Sequence, residues 1–260
     1  MSDILASVSV VIPFYNSNDF LFDALDSVYE QVVRPIKIIL VVDKGSAKPI
    51  LREQDILKDL VVIYNDGPIG GAGVVRAIGY NYARGDYVAF LDADDRWLPE
   101  KISIQIPYMV TNNLAFCFGG YRNFDLSGST SLITPRGPYT LPRFFGKGFT
   151  IGCLTVVVSK KAIPKVDPVF LKRRNDYLMW YRVIKHCQDA GLRWGGFNAV
   201  LGEHRLHAQS LTASKFKSAV YQFNFYRAAG QNLYKVFFFM LSYVANTSKN
   251  RLYGFIKRLS

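Results

Sequence analysis

The stretch YVAFLDADD, residues 87–95, places an apolar run directly before three carboxylates. Such a run is typical of a buried parallel strand, so Asp92, Asp94 and Asp95 follow the point where that strand ends. Like charges this close repel one another unless a cation joins them, and carboxylate oxygens are the ligands that Mg²⁺ and Mn²⁺ prefer. The alternative is a solvated acidic turn ahead of a helix that begins at Pro99. Both interpretations stay open on this stretch alone.

Three further apolar runs precede this one, and segments with helical spacing lie between them. The runs are residues 8–12, 36–42 and 60–64, and the helical segments are residues 20–31 and 70–83. Strands that alternate with helices predict right-handed crossovers and a mostly parallel central sheet flanked by helices. Ligands of such sheets bind beyond the carboxyl ends of the strands. Residues 13–16, Asp43 and residues 92–95 are therefore the expected site.

The second half of the chain has weaker patterns. Strands are predicted at residues 114–121 and 152–159, a helix at 175–186, a loop at 139–148 and a helical tail from 214.

Positive charge is concentrated at the end of the chain. The net charge is +12, and residues 204–260 hold nine lysines and arginines with no aspartate or glutamate. Aromatic residues alternate with these cations, which is typical of a segment that lies on anionic lipid. Nucleic-acid binding and a helical pair that closes the core are the alternatives. We expect membrane contact and no nucleic-acid partner.

The cysteines indicate a reducing compartment. Cys117, Cys153 and Cys187 are far apart and odd in number, so we predict reduced thiols in the core. The chain has no run of about twenty apolar residues that could span a bilayer. The predicted location is the cytoplasm, with peripheral attachment at the inner face of the membrane.

Two common phosphate-binding patterns are missing. The chain has no Walker-type loop, and residues 67–73 do not match GxGxxG, which argues against a nicotinamide enzyme. A nucleotidyltransferase would need a glycine-rich, basic loop after the first strand, and residues 13–17 contain neither glycine nor a cation.

Six segments of the chain resemble the family-2 glycosyltransferases with the GT-A fold, of the kind that make bacterial surface polysaccharides. They are VSVVIPFYN (8–16), ALDSVYEQ (24–31), IILVVDKGS (38–46), RAIGYNYARGDYVAFLDADD (76–95), NDYLMWYRV (175–183) and HRLHAQSLT (204–212). The resemblance implies a GT-A domain over residues 1–212 and a basic, aromatic helical tail over 213–260.

The resemblance also implies a donor site for a nucleotide sugar. Pro13 and Tyr15 would line the base pocket, and Asp43 would accept a hydrogen bond from the base. Arg76 would lie near the base or the phosphates. Lys44 stands where the family usually has an acid, and an asparagine that usually follows the arginine is absent, so the preferred base and sugar are left open.

Metal ligation is implied for the acidic segment. Asp94 would bind Mn²⁺ or Mg²⁺, Asp92 would meet the metal, its water or the ribose, and Asp95 would support them from behind. His207 would contact the metal or the diphosphate. Arg205 is either a second phosphate contact or the start of the basic tail.

Asp176 is the candidate catalytic base. In similar proteins an acidic pair opens a helix behind the acceptor, and its aspartate deprotonates the attacking hydroxyl. A carboxylate in the first turn of a helix is kept ionised by the helix dipole, as a general base requires. Here Asn175 replaces the first acid of the pair.

The activity implied is that of a metal-dependent, inverting hexosyltransferase. It would move a sugar from a nucleotide-diphosphate donor, a UDP-sugar, to a saccharide or lipid-linked acceptor. The QxxRW signature of processive synthases is absent, which favours the addition of one sugar per encounter. The alternative is a non-catalytic module that binds a nucleotide sugar or a membrane surface on the same fold.

Overall fold

A nine-stranded sheet forms the middle layer of the computed structural model, which describes residues 6–57, 59–125, 128, 130–146, 148–206 and 215–259. The strands are β1 Val8–Phe14, β2 Lys37–Val42, β3 Leu60–Tyr64, β4 Tyr87–Phe90, β5 Arg96–Trp97, β6 Leu114–Phe124, β7 Thr130–Ile133, β8 Val157–Ser159 and β9 Arg193–Arg205. The helices are α1 Asn18–Tyr29, α2 Glu53–Leu57, α3 Ala72–Tyr82, α4 Lys101–Thr111, α5 Leu141–Phe145, α6 Asn175–Asp189, α7 Lys215–Ala228 and α8 Leu233–Leu259.

The first half of the sheet is parallel, as the alternating pattern predicts. Its order is β3-β2-β1-β4, and each neighbouring pair runs in the same direction. Val10, Val11 and Ile12 of β1 are fully buried because helices cover both faces. This confirms the four strands predicted from the apolar runs and brings the carboxyl ends of β1, β2 and β4 to one edge.

The second half of the sheet mixes directions. β8 is antiparallel to both β4 and β6, and β9 runs parallel to β6 and antiparallel to β5. The long strand β9 was not predicted, because Gly195, Gly196 and several half-buried polar residues interrupt its apolar pattern. The short elements β5, β7 and α2 were also missed.

Two predictions for the second half were wrong in detail. Within the strand predicted at 152–159, Cys153–Thr155 forms a single 3-10 turn, and only β8 is extended. The loop predicted at 139–148 contains α5, whose Phe144 and Phe145 are buried. Helix α5 begins where the Thr140 hydroxyl accepts a hydrogen bond from the Arg143 N–H at 3.4 Å.

Two apolar cores lie on the two faces of the sheet. Val11 of β1 points toward Tyr80 of α3 and Trp180 of α6, while Val10 and Ile12 point toward the core that includes residues of α1 and α4. This alternation follows from the two-residue period of a strand. The three cysteines are free and buried, which confirms the predicted core thiols.

The tail helices are partly built into the larger core. Phe225 and Tyr226 of α7 and Val236 of α8 are buried with Phe145, and the Tyr226 hydroxyl donates to the Phe145 carbonyl at 2.6 Å. The opposite side of α8 is exposed and apolar, with Leu233, Tyr234, Phe237, Phe238, Leu241 and Val244. Among the described residues, no helix combines the length and hydrophobicity that a bilayer crossing requires.

A buried lysine anchors the element that follows the acidic segment. Lys101 at the start of α4 donates to Gln105 Oε1 at 2.9 Å and lies 4.3 Å from the ring centre of Trp97. The amide of Gln105 in turn donates to the Thr155 carbonyl at 2.8 Å. Burial lowers the pKa of Lys101 to about 7, because the charged form loses its hydration.

This lysine makes the stability of the protein depend on pH. Between about pH 7 and about pH 10 the unfolded chain holds a proton that folded Lys101 gives up, so its contribution to the free energy of unfolding rises with pH. Lys101→Met removes this contribution. We expect the variant to gain stability over wild type near pH 7 and to lose that gain toward pH 10. Urea unfolding of both proteins across this range measures the difference, and a constant difference would contradict the assignment.

Candidate active site

The loops after β1 and β2 form one joined platform. Pro13 lies in β1 beside Val41 of β2, and Tyr15, the next-but-one residue, is 56% exposed. Asn16 adopts a left-handed backbone with φ of 51°, and its side-chain oxygen accepts the Ala47 N–H at 2.8 Å. Tyr15 therefore presents its ring to solvent from a loop that is fixed at both ends, as a stacking platform for a base requires.

Asp43 holds the loop that leads into α3. Its carboxylate accepts the N–H of Lys44 at 2.8 Å, the N–H of Gly71 at 2.7 Å and the Asn65 amide at 3.2 Å. A side chain at Gly70 would meet this carboxylate at 2.8 Å, so only glycine allows the approach. A carboxylate has about four lone-pair sites, which leaves capacity for one more donor. Sequence reasoning missed two partners of Asp43, Asn65 and Gly71, which lie 22 and 28 residues further along the chain.

Arg76 joins the acidic segment to the start of α6. Its guanidinium donates to Asp92 Oδ1 at 2.6 Å and to Asn175 Oδ1 at 2.8 Å, and the residue is only 5% exposed. Burial opposes its charge, but nearby carboxylates, Asp92 above all, outweigh burial and raise its pKa. Asn175 thus offers Arg76 a side-chain oxygen at the position where the family usually has an acid.

Asp95 is the buried carboxylate of the acidic segment. It is 1% exposed, and the Arg205 N–H donates to its Oδ1 at 2.9 Å. Burial raises the pKa of Asp95 well above its ordinary value, and the charges of Asp92 and Asp94 add to the rise. The buried carboxyl is therefore poorly suited to carry charge, while Asp92 and Asp94 are half-buried.

Arg205 holds the acidic segment against α1. Its guanidinium donates to the Asp94 carbonyl at 3.0 Å and to Asp23 of α1 at 2.6 Å. It also stacks against the rings of Phe20 and Phe124. Through these contacts Arg205 positions the acidic segment. The sequence had suggested either a phosphate contact or the start of the basic tail.

The acidic segment suits a divalent cation only in company with a substrate. In the part of the chain that the structure describes, no three histidine, cysteine, aspartate or glutamate side chains are grouped closely enough to hold a metal. Mg²⁺ is commonly bound by one or two carboxylates together with substrate phosphates. Asp92 and Asp94 can supply the two carboxylates, and a substrate would supply the phosphates. His207, the third ligand implied by the resemblance, lies outside the described residues.

Asp176 lies in the first turn of α6, on a cleft of about 620 Å³. The cleft is lined by Gly70, Gly71, Ala72, Arg76 and residues 170–176. Gly73 lets the two walls approach, because a side chain there would meet the Val169 carbonyl at 2.5 Å. Asp176 at the start of α6 and the loop that Asp43 holds, which includes Gly70 and Gly71, therefore line the same cavity.

Two residues, Tyr121 and Cys153, interact electrostatically with Asp176, and no role at the site was predicted for either. Burial raises the pKa of the Tyr121 hydroxyl, and the charges of Tyr177, Asp95 and Asp176 add to the rise. Burial also raises the pKa of the Cys153 thiol, while the charge of Arg76 opposes it. Both side chains thus lie within electrostatic reach of Asp176, although neither belongs to a recognisable motif.

Comparisons with known proteins find relatives over nearly the whole chain. The chain is 29% identical to TuaG of Bacillus subtilis (strain 168), whose name assigns it to teichuronic acid biosynthesis, over 94% of this chain and 97% of TuaG. It is 24% identical to the Escherichia coli UDP-Glc:alpha-D-GlcNAc-diphosphoundecaprenol beta-1,3-glucosyltransferase WfgD, over 95% and 96% of the two chains.

The fold and the family follow from two further matches. The mannosyltransferase PcManGT from Pyrobaculum calidifontis, solved with GDP-Man and Mn²⁺, superposes with a TM-score of 0.60 at 13% identity, over 92% of this chain and 69% of the other. A family model described as glycosyl transferase family 2 matches residues 9–159, which is more than half of the chain. The protein therefore belongs to glycosyl transferase family 2 and has the GT-A fold.

Proposed function

We propose that this protein transfers a sugar from a UDP-sugar to a saccharide or lipid-linked acceptor, with inversion, in the synthesis of a surface polysaccharide. The observation that carries the proposal is the position of Arg76, which bonds Asp92 at the end of β4 and Asn175 at the start of α6. The acidic segment and Asp176 therefore lie on two sides of one buried guanidinium, as a donor site and an acceptor site would.

The donor would extend from Tyr15 to the acidic segment. The exposed ring of Tyr15 stacks on the base, the remaining acceptor capacity of Asp43 takes a hydrogen bond from it, and Arg76 lies toward the phosphates. The name of WfgD gives UDP-Glc as its donor, which supports a uridine nucleotide here. Pro13 completes the apolar side of the base pocket.

Asp94 and Asp92 would hold Mn²⁺ or Mg²⁺ together with the donor diphosphate, and His207 is a third candidate ligand. When bound, the cation supplies positive charge next to the departing nucleotide diphosphate. The Mn²⁺ complex of PcManGT, which shares the fold, supports this assignment.

Asp176 would act as the base. It accepts the proton of an acceptor hydroxyl as that oxygen forms a bond to the anomeric carbon of the donor sugar. The bond from that carbon to the diphosphate breaks on the opposite face, and the nucleotide diphosphate leaves with the electron pair. One displacement inverts the configuration, so an α-linked donor gives a β-linkage. The name of WfgD describes a β-1,3 linkage, which agrees with inversion in a relative.

Loss of the base should slow the chemical step without weakening the binding of the donor. We expect Asp176→Asn to lower kcat by about 10²- to 10⁴-fold with little change in the KM of the donor. Asp189→Asn, at the far end of the same helix, is the matched control and should leave both constants unchanged. Transfer measured across UDP- and GDP-sugars with Mn²⁺ tests this, and an unchanged kcat in Asp176→Asn would remove Asp176 from the mechanism.

Loss of the metal ligand should abolish turnover of whichever nucleotide sugar wild type uses. Asp94→Ala removes a carboxylate that faces the donor diphosphate, so we expect metal-dependent donor binding to disappear with the activity. Calorimetric titration of UDP with and without Mn²⁺ checks this. If wild type binds the donor but transfers no sugar to any acceptor, the non-catalytic binding module becomes the better reading.

The tail would hold the enzyme on the inner face of the cytoplasmic membrane. The exposed apolar residues of α8 recur on one side of the helix. Residues 204–260 carry cations and no carboxylates, which complements an anionic lipid surface. The other side of α8 packs in the core, so membrane contact would leave the domain folded against the tail.

Replacing this exposed side should release the protein from lipid. We expect Phe237→Ser, Leu241→Ser and Val244→Ser, combined, to reduce co-sedimentation with vesicles that contain anionic lipid. The matched control combines Ile104→Ser, Val110→Ser and Leu132→Ser, which are exposed apolar residues outside the tail. Equal binding of both triple variants would show that this side of α8 does not contact lipid.

A further inference from the structure

The segment before α6 forms a basic wall of the cleft that holds Asp176. Lys172, Arg173 and Arg174 all line this cleft, directly ahead of Asn175 and Asp176 in the chain. The wall also carries Phe170, which is 64% exposed. Three consecutive cations and an aromatic ring therefore border the position from which Asp176 would take a proton.

The charges of this wall are not paired with carboxylates of the described residues. Among the described residues, none of Lys172, Arg173 and Arg174 forms an ion pair, whereas Arg76 on the opposite wall is paired with Asp92. Adjacent like charges repel one another, so the fold gains nothing by placing them together. Arg174 also has a left-handed backbone, with φ of 62°, which is uncommon outside glycine and is often found at functional sites.

The wall lies next to the tail. The guanidinium of Arg174 is 5.1 Å from the ring centre of Tyr177. Burial raises the pKa of Tyr226 in α7 to about 12, and the charge of Arg174 opposes that rise. Arg174 directly precedes α6, which contacts α7, and α7 in turn packs against α8, the helix with the exposed apolar side.

We propose that Lys172, Arg173 and Arg174 bind a phosphate group of the acceptor, and that the acceptor is a sugar joined through a diphosphate to a lipid. This deepens the proposed function and rests on it. A diphosphate offers several anionic oxygens, which arginine binds in bidentate fashion and lysine binds as a point charge. The sugar then lies toward Asp176, the lipid chain lies toward the tail, and the wall fixes the diphosphate between them.

The donor diphosphate is the competing ligand for this wall. It would lie beside Asp92 and Asp94 on the other side of Arg76, where a divalent cation offsets its charge. An experiment must therefore compare a phosphate on the acceptor with a phosphate on the donor.

Three probes separate these ligands in the full chain. They are N-acetylglucosamine joined through a diphosphate to a short prenyl chain, octyl N-acetylglucosaminide, which has no phosphate, and UDP with Mn²⁺. Calorimetric binding of each probe is measured for wild type, for the variant Lys172→Gln/Arg173→Gln/Arg174→Gln, and for a control. The control is Arg84→Gln/Lys161→Gln/Lys165→Gln, which removes the same charge from exposed positions outside the cleft.

We expect the cleft variant to bind the diphosphate probe about tenfold or more weakly, with its affinity for the octyl glycoside and for UDP unchanged. The control should match wild type with all three probes, and thermal unfolding should show that both variants are folded. An equal loss of UDP binding would assign the wall to the donor, and unchanged binding of the diphosphate probe would overturn the proposal outright.

The outcome is independent of turnover. If wild type transfers a sugar from a UDP-sugar but does not bind the diphosphate probe, the proposed function stands and this inference falls. If it binds the probe through the wall but turns over no donor, the wall remains a site for a lipid-linked diphosphate and the proposed transfer falls.

Discussion

The buried guanidinium of Arg76 is the constraint on which the site depends. It reaches from α3 to Asp92 after β4 and to Asn175 at the start of α6, and these elements are far apart in the chain. A buried charge is tolerated only when it is paired, so the sheet edge and α6 cannot separate without exposing or stranding it. Gly73 permits the short distance that the arginine spans. The hydrogen bond from Arg76 to Asn175 thereby joins the two sides of the cleft, and the ion pair with Asp92 ties them to the sheet edge.

The acidic segment is held from the other side by a second arginine. Arg205 bonds the backbone of Asp94 and the side chain of Asp23, and its own N–H bonds Asp95. Because burial disfavours the ionised form of Asp95, the repulsion expected among three adjacent carboxylates is reduced without any cation. Arg76 thus fixes the carboxylate of Asp92, and Arg205 fixes the backbone that carries Asp94.

The parts of this arrangement that could be predicted are those encoded locally. Buried parallel strands appear as continuous apolar runs, so β1, β2 and β4 and the residues that follow them were accessible from sequence. Strand β9 could not be predicted, because Gly195 and Gly196 interrupt the alternation of apolar and polar residues that identifies a strand. The roles of Arg205 and Tyr121 depend on contacts with residues far away in the chain, and no local pattern encodes such contacts. Helix α5 did carry a usable signal, in the cap residue and proline that begin it.

The amide at Asn175 has a consequence for the field around the cleft. It preserves the hydrogen bond to Arg76 but brings no negative charge, so Arg76 is balanced by Asp92 alone among its two partners. With no carboxylate at this position, the cleft carries one negative charge fewer, and the positive potential of the neighbouring basic residues extends into solvent over about a Debye length. Anionic molecules would be steered toward the cleft before they touch it, and the rate of their capture would fall as ionic strength rises. A single neutral side chain, that of Asn175, thus affects the rate at which anionic ligands associate with the cleft.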